Sequence, residues 1–331
     1  MSEMGSIVDK ARKIAETFIG EPGVSAVFIG GSIAQGTHWE YSDLELGLLV
    51  DEKLEHLPYF NVIDGLGVEI VQIKKPKVEA LLGKYQESGD YSDVKSFPIQ
   101  FYQSEIISDP SGIWAQFKEI YDKHLLSDSI TAVFKTKELE NADKWYDIAK
   151  LHIAEAKPKS ALAALRLAVN NLMCGIYWHN KIRLRSMHRT VQLLHEQSPL
   201  IGGYKLYEVF TDIYGISGTE SEMREKILAV KDDVYTICAA RWGAAIPQFF
   251  GISATRQVED GKGVNNIIFH YKWCVHICGQ ELIKAGHCDI TDYEREHPRL
   301  HEFLGFGSIT SESLEVLVAR YENLRQGIAA T

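Results

Sequence analysis

Two carboxylates, Asp43 and Glu45, stand two residues apart at the head of an apolar run, Leu44 to Val50. In an extended strand residues two apart share a face, so Asp43 and Glu45 project together while Leu44, Leu46 and Leu48 turn to the core. Two carboxylates facing one way repel, and a divalent cation removes that cost; oxygen ligands select magnesium or manganese. A third carboxylate, Glu69, lies between Val68 and Ile70 in GVEIVQI and points away from those apolar neighbours. If that strand neighbours the first, three carboxylates converge. Upstream, an apolar run delivers Gly30, Gly31 and Ser32 into a tight turn. The glycines let backbone approach a ligand without a Cβ in the way, and Ser32 adds a hydroxyl. Phosphate cradle and metal site together suit attack by a hydroxyl on an α-phosphate, with pyrophosphate leaving.

These residues need a sheet to hold them. Runs at 24–29, 44–50, 68–73 and 99–107 read as strands. Helices are expected at 7–18, at 76–85 with Pro76 in a favoured opening position, and at 113–124. Beyond residue 130 nearly every stretch reads as helix: 136–156, 159–178, 188–195, 204–214, 220–242, 264–285 and 311–329. The glycine-rich stretch 243–263 reads as a loop. The expected fold is α+β: a nucleotide-handling domain at 1–128, with a small mixed sheet and flanking helices, then an all-helical bundle at 129–331.

The order of apolar strand, GGS, spacer, SDLEL and a later VEI resembles the DNA polymerase β-like nucleotidyltransferase superfamily. The resemblance implies that Gly31 and Ser32, with Ser42 beside them, hold NTP phosphates and that Asp43, Glu45 and Glu69 bind metal. The chain is more closely similar to aminoglycoside nucleotidyltransferases of the kanamycin 4'-type. That group has an Asp-x-Glu pair, a Glu on a third strand, and a DSGG-like turn matched loosely by Asp109-Pro110-Ser111-Gly112. It also carries a Glu acting as general base shortly before a Lys-Trp pair. By that resemblance Glu140 takes the proton from the attacking hydroxyl and Lys144, before Trp145, contacts the nucleotide phosphates; Glu138 and Asp143 are the competing bases. The similarity spans roughly 24–195.

The implied activity is Mg2+- or Mn2+-dependent transfer of a nucleoside monophosphate, AMP from ATP by default, to a small hydroxylated acceptor such as an aminoglycoside. Alternatives are nucleotidylation of a protein or RNA end, and a non-catalytic nucleotide-binding, antitoxin-like module. Such modules often lose a carboxylate, and here all three remain. A homodimer is the arrangement often used by the related group.

A net charge of -10 argues against a duplex-DNA binder, which shows a basic face, and fits a cationic acceptor. No membrane partner is expected, because no stretch approaches the ~20 apolar residues of a span. The charged start MSEMGSIVDKARK lacks a secretory signal's apolar run, and five cysteines without a CxxC suit reduced thiols, so a cytoplasmic protein is expected. Lys181, Arg183, Arg185 and Arg189 form a basic cluster, in which Arg183 to His188 has the spacing of a HEPN ribonuclease Arg-His motif; a solvated turn is the simpler reading. Gln35, Thr37 and His38 occupy the loop between glycine turn and carboxylates, and His270 and His276 read as packed on a helix.

Overall fold

The computed structural model describes residues 6–182 and 187–329. The chain is α+β and divides into two compact units, 1–131 with 242–256, and 132–241 with 257–331.

The first unit opens with helix α1 (Ile7–Glu16), started by a reciprocal cap between Ser6 and Asp9. Strand β1 (Val24–Ile29), short helix α2 (Gly31–Ala34) and strand β2 (Leu44–Val50) follow. Next come β3 (Phe60–Ile63), β4 (Leu66–Lys74), helix α3 (Lys75–Ser88), β5 (Glu105–Ser108) and helix α4 (Ile113–His124). The strands form one mixed sheet in the order β3-β4-β2-β1-β5. β2 and β4 are parallel, and every other pairing is antiparallel. α1 lays Ala11, Ile14 and Ala15 against Val27 and Ile29 of β1, Leu44, Leu46 and Leu48 of β2, and Val68 and Ile70 of β4. The opposite face holds Phe28, stacked on Trp114 of α4 at 3.8 Å and packed edge-on to Phe101. With both faces covered, the central strands read as continuous apolar runs.

Several expectations need correction. β3 was not anticipated: Asp64 and Gly65, at φ 51° and 70°, form a two-residue turn of the kind that joins tightly paired strands, and β3 returns on β4 through it. The expected strand at 99–107 shrinks to Glu105–Ser108, because 99–101 coil into a 3-10 turn behind Pro98 and bury Phe101. The stretch 243–263 is not a loop. Residues 246–259 are helical, as Ile246–Phe250, a π-helical turn at Gly251–Thr255 and Arg256–Glu259. Ile246, Phe249, Phe250, Ala254 and Val258 are all buried and recur near helical spacing; Gly243, Gly251 and Gly261 masked that pattern. Residues 242–256 belong with the first unit rather than with the helical region in which they were expected. There Phe249 lies on Phe60 at 5.0 Å, and a Cβ added to Gly67 would stand 3.0 Å from its ring. The segment thereby packs on the face of the β3–β4 pair at Phe60 and Gly67.

The second unit is helical. α5 (Asp128–Ala154) enters it and α6 (Pro158–His179) runs through its centre, buried almost all round from Ser160 to Val169. α7 (Thr190–Gln197), α8 (Tyr204–Tyr214) and α9 (Glu220–Trp242) follow, and α10 is the Ile246–Phe250 helix of the first unit. α11 (Arg256–Glu259), α12 (Val264–Cys278), α13 (Gln280–Lys284), α14 (Thr291–Glu296), α15 (Pro298–Phe303) and α16 (Ser311–Ala329) complete the chain. The expected helix at 264–285 is broken at Gly279. Helices α14 and α15 were not anticipated. Among the described residues no helix is long and apolar enough to cross a membrane.

Candidate active site

The carboxylates are set by sheet register. Asp43 precedes β2, and Glu45 is its second residue. β4 lies beside β2 in parallel with Glu45 opposite Glu69, so the adjacency that convergence requires is present. Leu44, Leu46, Val68 and Ile70 are buried with α1, which turns Asp43, Glu45 and Glu69 to the other face.

The glycine turn joins this face from β1. The Gly30 N–H donates to the Glu45 carbonyl at 2.8 Å. Gly31 has φ +61°, and a Cβ built on it would fall 1.0 Å from Oε2 of Glu45. Glycine is therefore required twice there, by backbone conformation and by the carboxylate lying over it. The Ser32 hydroxyl donates to Oγ of Ser42 at 3.2 Å, and Ser42 also accepts from the Trp39 N–H at 3.1 Å. Buried Ser42 thus ties the glycine turn to the loop that delivers Asp43. In that loop the Gln35 amide donates to the Tyr102 carbonyl at 2.8 Å, a structural tie.

Tyr59, not singled out from the sequence, donates its hydroxyl to Oε2 of Glu69 at 2.9 Å. It was missed because β3, which Tyr59 immediately precedes, was missed; the Asp64-Gly65 pair between apolar runs was the available signal. Removal from water, and then the negative charge of Asp43, push the Glu69 carboxyl up to about 8; the Tyr59 hydrogen bond acts in the opposite sense. The Tyr59 hydroxyl is raised in turn, first by burial and then by Glu69, with smaller contributions from Glu45 and Asp43. All three carboxylates thus act on one hydroxyl.

The side chains do not close on a common point: among the described residues no three His, Cys, Asp or Glu groups are gathered so as to hold a metal ion. Glu45 lies over Gly31 and Glu69 is held by Tyr59. The donor set still fits a hard divalent cation. It is all oxygen, and the repulsion between Asp43 and Glu69 is what a cation would relieve.

The remaining expected residues lie in the second unit. Glu140 and Lys144 are exposed, four residues apart on α5. Of the competing bases, Asp143 is held in a two-pronged ion pair by Arg325, at 2.9 Å for both contacts. Glu138 is half-buried, and burial raises its carboxyl. His270 and His276 are buried on α12, where burial drives both rings toward the neutral form. Arg183 and Arg185 of the basic cluster lie outside the described residues. Compared with protein-family models and with curated proteins, the chain matches none.

Proposed function

We propose that this protein is a divalent-metal-dependent nucleotidyltransferase that moves a nucleoside monophosphate, AMP from ATP by default, to a hydroxyl of a small molecule. The observation that carries the reading is the register pairing of Glu45 with Glu69, with Glu45 lying against Gly31 and Glu69 within the field of Asp43. Magnesium or manganese would be held by Asp43, Glu45 and Glu69, and when bound it neutralises charge on the triphosphate. Gly31 lets the Glu45 carboxylate lie directly against the turn, and Ser32, steadied by Ser42, offers a phosphate a hydroxyl. The base is Glu140 by the sequence resemblance alone; of its competitors, Asp143 is tied to Arg325 and Glu138 is half-buried. Lys144 is assigned to the nucleotide phosphates. The acidic chain, at -10, favours a cationic acceptor such as an aminoglycoside.

The test is pyrophosphate release from each NTP with magnesium against aminoglycosides, other small hydroxyl compounds, and RNA. The double variant Asp43→Asn/Glu45→Gln serves as control. Acceptor-dependent release that falls at least about a hundredfold in the variant supports the reading. Tight NTP binding without release for any acceptor would favour a regulatory module, and absence of NTP binding would refute the proposal.

A further inference from the structure

A second polar centre lies wholly within the helical unit. A cavity of about 350 Å³ is lined by residues of α6, α8, α9, α12 and the segment 302–317, a volume at the small end of ligand pockets. Two cations reach it, Arg166 of α6 and Lys272 of α12, only 2% and 4% exposed. Buried cations are ordinarily paired with carboxylates, and among the described residues these are not. Arg166 donates to the carbonyls of Ile213 at 2.9 Å and Leu304 at 2.6 Å, and contacts Nε2 of His276 at 3.4 Å. Lys272 donates to the carbonyls of Tyr214 at 2.7 Å and Gly215 at 3.4 Å. Those carbonyls belong to the C-terminal ends of α8 and α15, whose partial negative charge falls short of the full charge of a carboxylate.

The two cationic ends meet where side chains are lacking. A Cβ built on Gly215 would stand 3.6 Å from Nζ of Lys272 and 3.8 Å from Nη2 of Arg166; one on Gly305 would stand 3.6 Å from the same Nη2. Both glycines have positive φ. Of the acids lining the cavity, Asp212 is taken by Arg320 and Glu302 is exposed; the exposed Lys226 adds a third cation. Burial, and then the charges of Arg166 and Lys226, drive the Lys272 ammonium well below its ordinary range, and no carboxylate opposes them.

We propose that this cavity binds a small molecule carrying one oxyanion group, a phosphate or a carboxylate, held by Arg166 and Lys272, with its apolar part against Ile213, Met223, Ile268 and Phe303. A guanidinium beside an ammonium is a donor set suited to such a group. The assignment is independent of nucleotidyl transfer.

The experiment is calorimetric titration of the full chain with inorganic phosphate, phenyl phosphate and benzoate at constant ionic strength. Saturable one-site binding is expected, with the tighter of phenyl phosphate and benzoate naming the oxyanion. Affinity should fall at least about tenfold in Lys272→Met, about threefold in Lys226→Met at the exposed rim, and recover in Lys272→Arg. Binding should persist in Asp43→Asn/Glu45→Gln, which separates this site from the glycine turn. No saturable binding of any probe to the unmodified chain overturns the proposal, as does binding unchanged by Lys272→Met. Should Lys272→Met not fold, unchanged binding in Lys226→Met decides against it.

Discussion

Replacing Glu69 by Gln tests the electrostatics of the candidate active site without reference to any substrate. The Glu69 carboxyl is raised from 4.5 to about 8. Below about pH 4.5 the group is protonated folded and unfolded alike, and contributes nothing. Between about 4.5 and 8 the unfolded chain gives up the proton and the folded chain keeps it, so stability falls as pH rises. Above about 8 both are ionised and the full cost is present. A shift of about 3.5 pH units at about 1.4 kcal/mol each sets a ceiling of about 5 kcal/mol. Solvent screening at a half-buried carboxylate brings the expected value to about 2 kcal/mol. Glu69→Gln keeps an acceptor for Tyr59 and removes the charge. The variant should match the unmodified chain at pH 4.5 and exceed it by about 2 kcal/mol at pH 9. The assay is urea unfolding at fixed ionic strength across that range, read as the difference in midpoint between the two chains. A difference that does not change with pH would refute the claim that Glu69 is held protonated by burial and Asp43. Millimolar magnesium should shrink the difference at pH 9 by stabilising the unmodified chain, with three carboxylates, more than the variant with two.

Other expectations follow from the same geometry. Gly31→Ala places a Cβ on the Glu45 carboxylate at φ +61°; it should cost at least about 1 kcal/mol in unfolding free energy and abolish pyrophosphate release. Tyr59→Phe removes the donor that favours the Glu69 carboxylate, so the pH at which the Glu69-dependent stability changes should move upward in the same urea series. Phe249→Ala removes the buried ring packed on Phe60 and Gly67 and should destabilise by about 3 kcal/mol or more, seen as a lower unfolding midpoint.

The sequence by itself determined the local parts of the site. Alternation across Asp43, Leu44 and Glu45 is a property of any strand with one face in a core, and the extent of β2, Leu44–Val50, could be read directly. Helices such as Tyr204–Tyr214 and Ile113–His124 were likewise legible because their apolar spacing is local. Gly31 was singled out for its type, yet the reason it must be glycine, the Glu45 carboxylate lying over it, is a tertiary contact. Glu69 could be placed on a strand but not beside Glu45, since strand pairing is set by the whole sheet, in which β4 lies between β2 and the edge strand β3. Residues 246–259 looked like a loop because glycine frequency outweighed periodicity; for 246–255, burial against β3 and β4 supplied the stabilisation that local propensity lacked. Arg166 and Lys272 lie far apart in sequence and on apolar helices, where a cation reads as a solvated tip. Only the packing of α6 and α12 against the ends of α8 and α15 put both charges into one cavity.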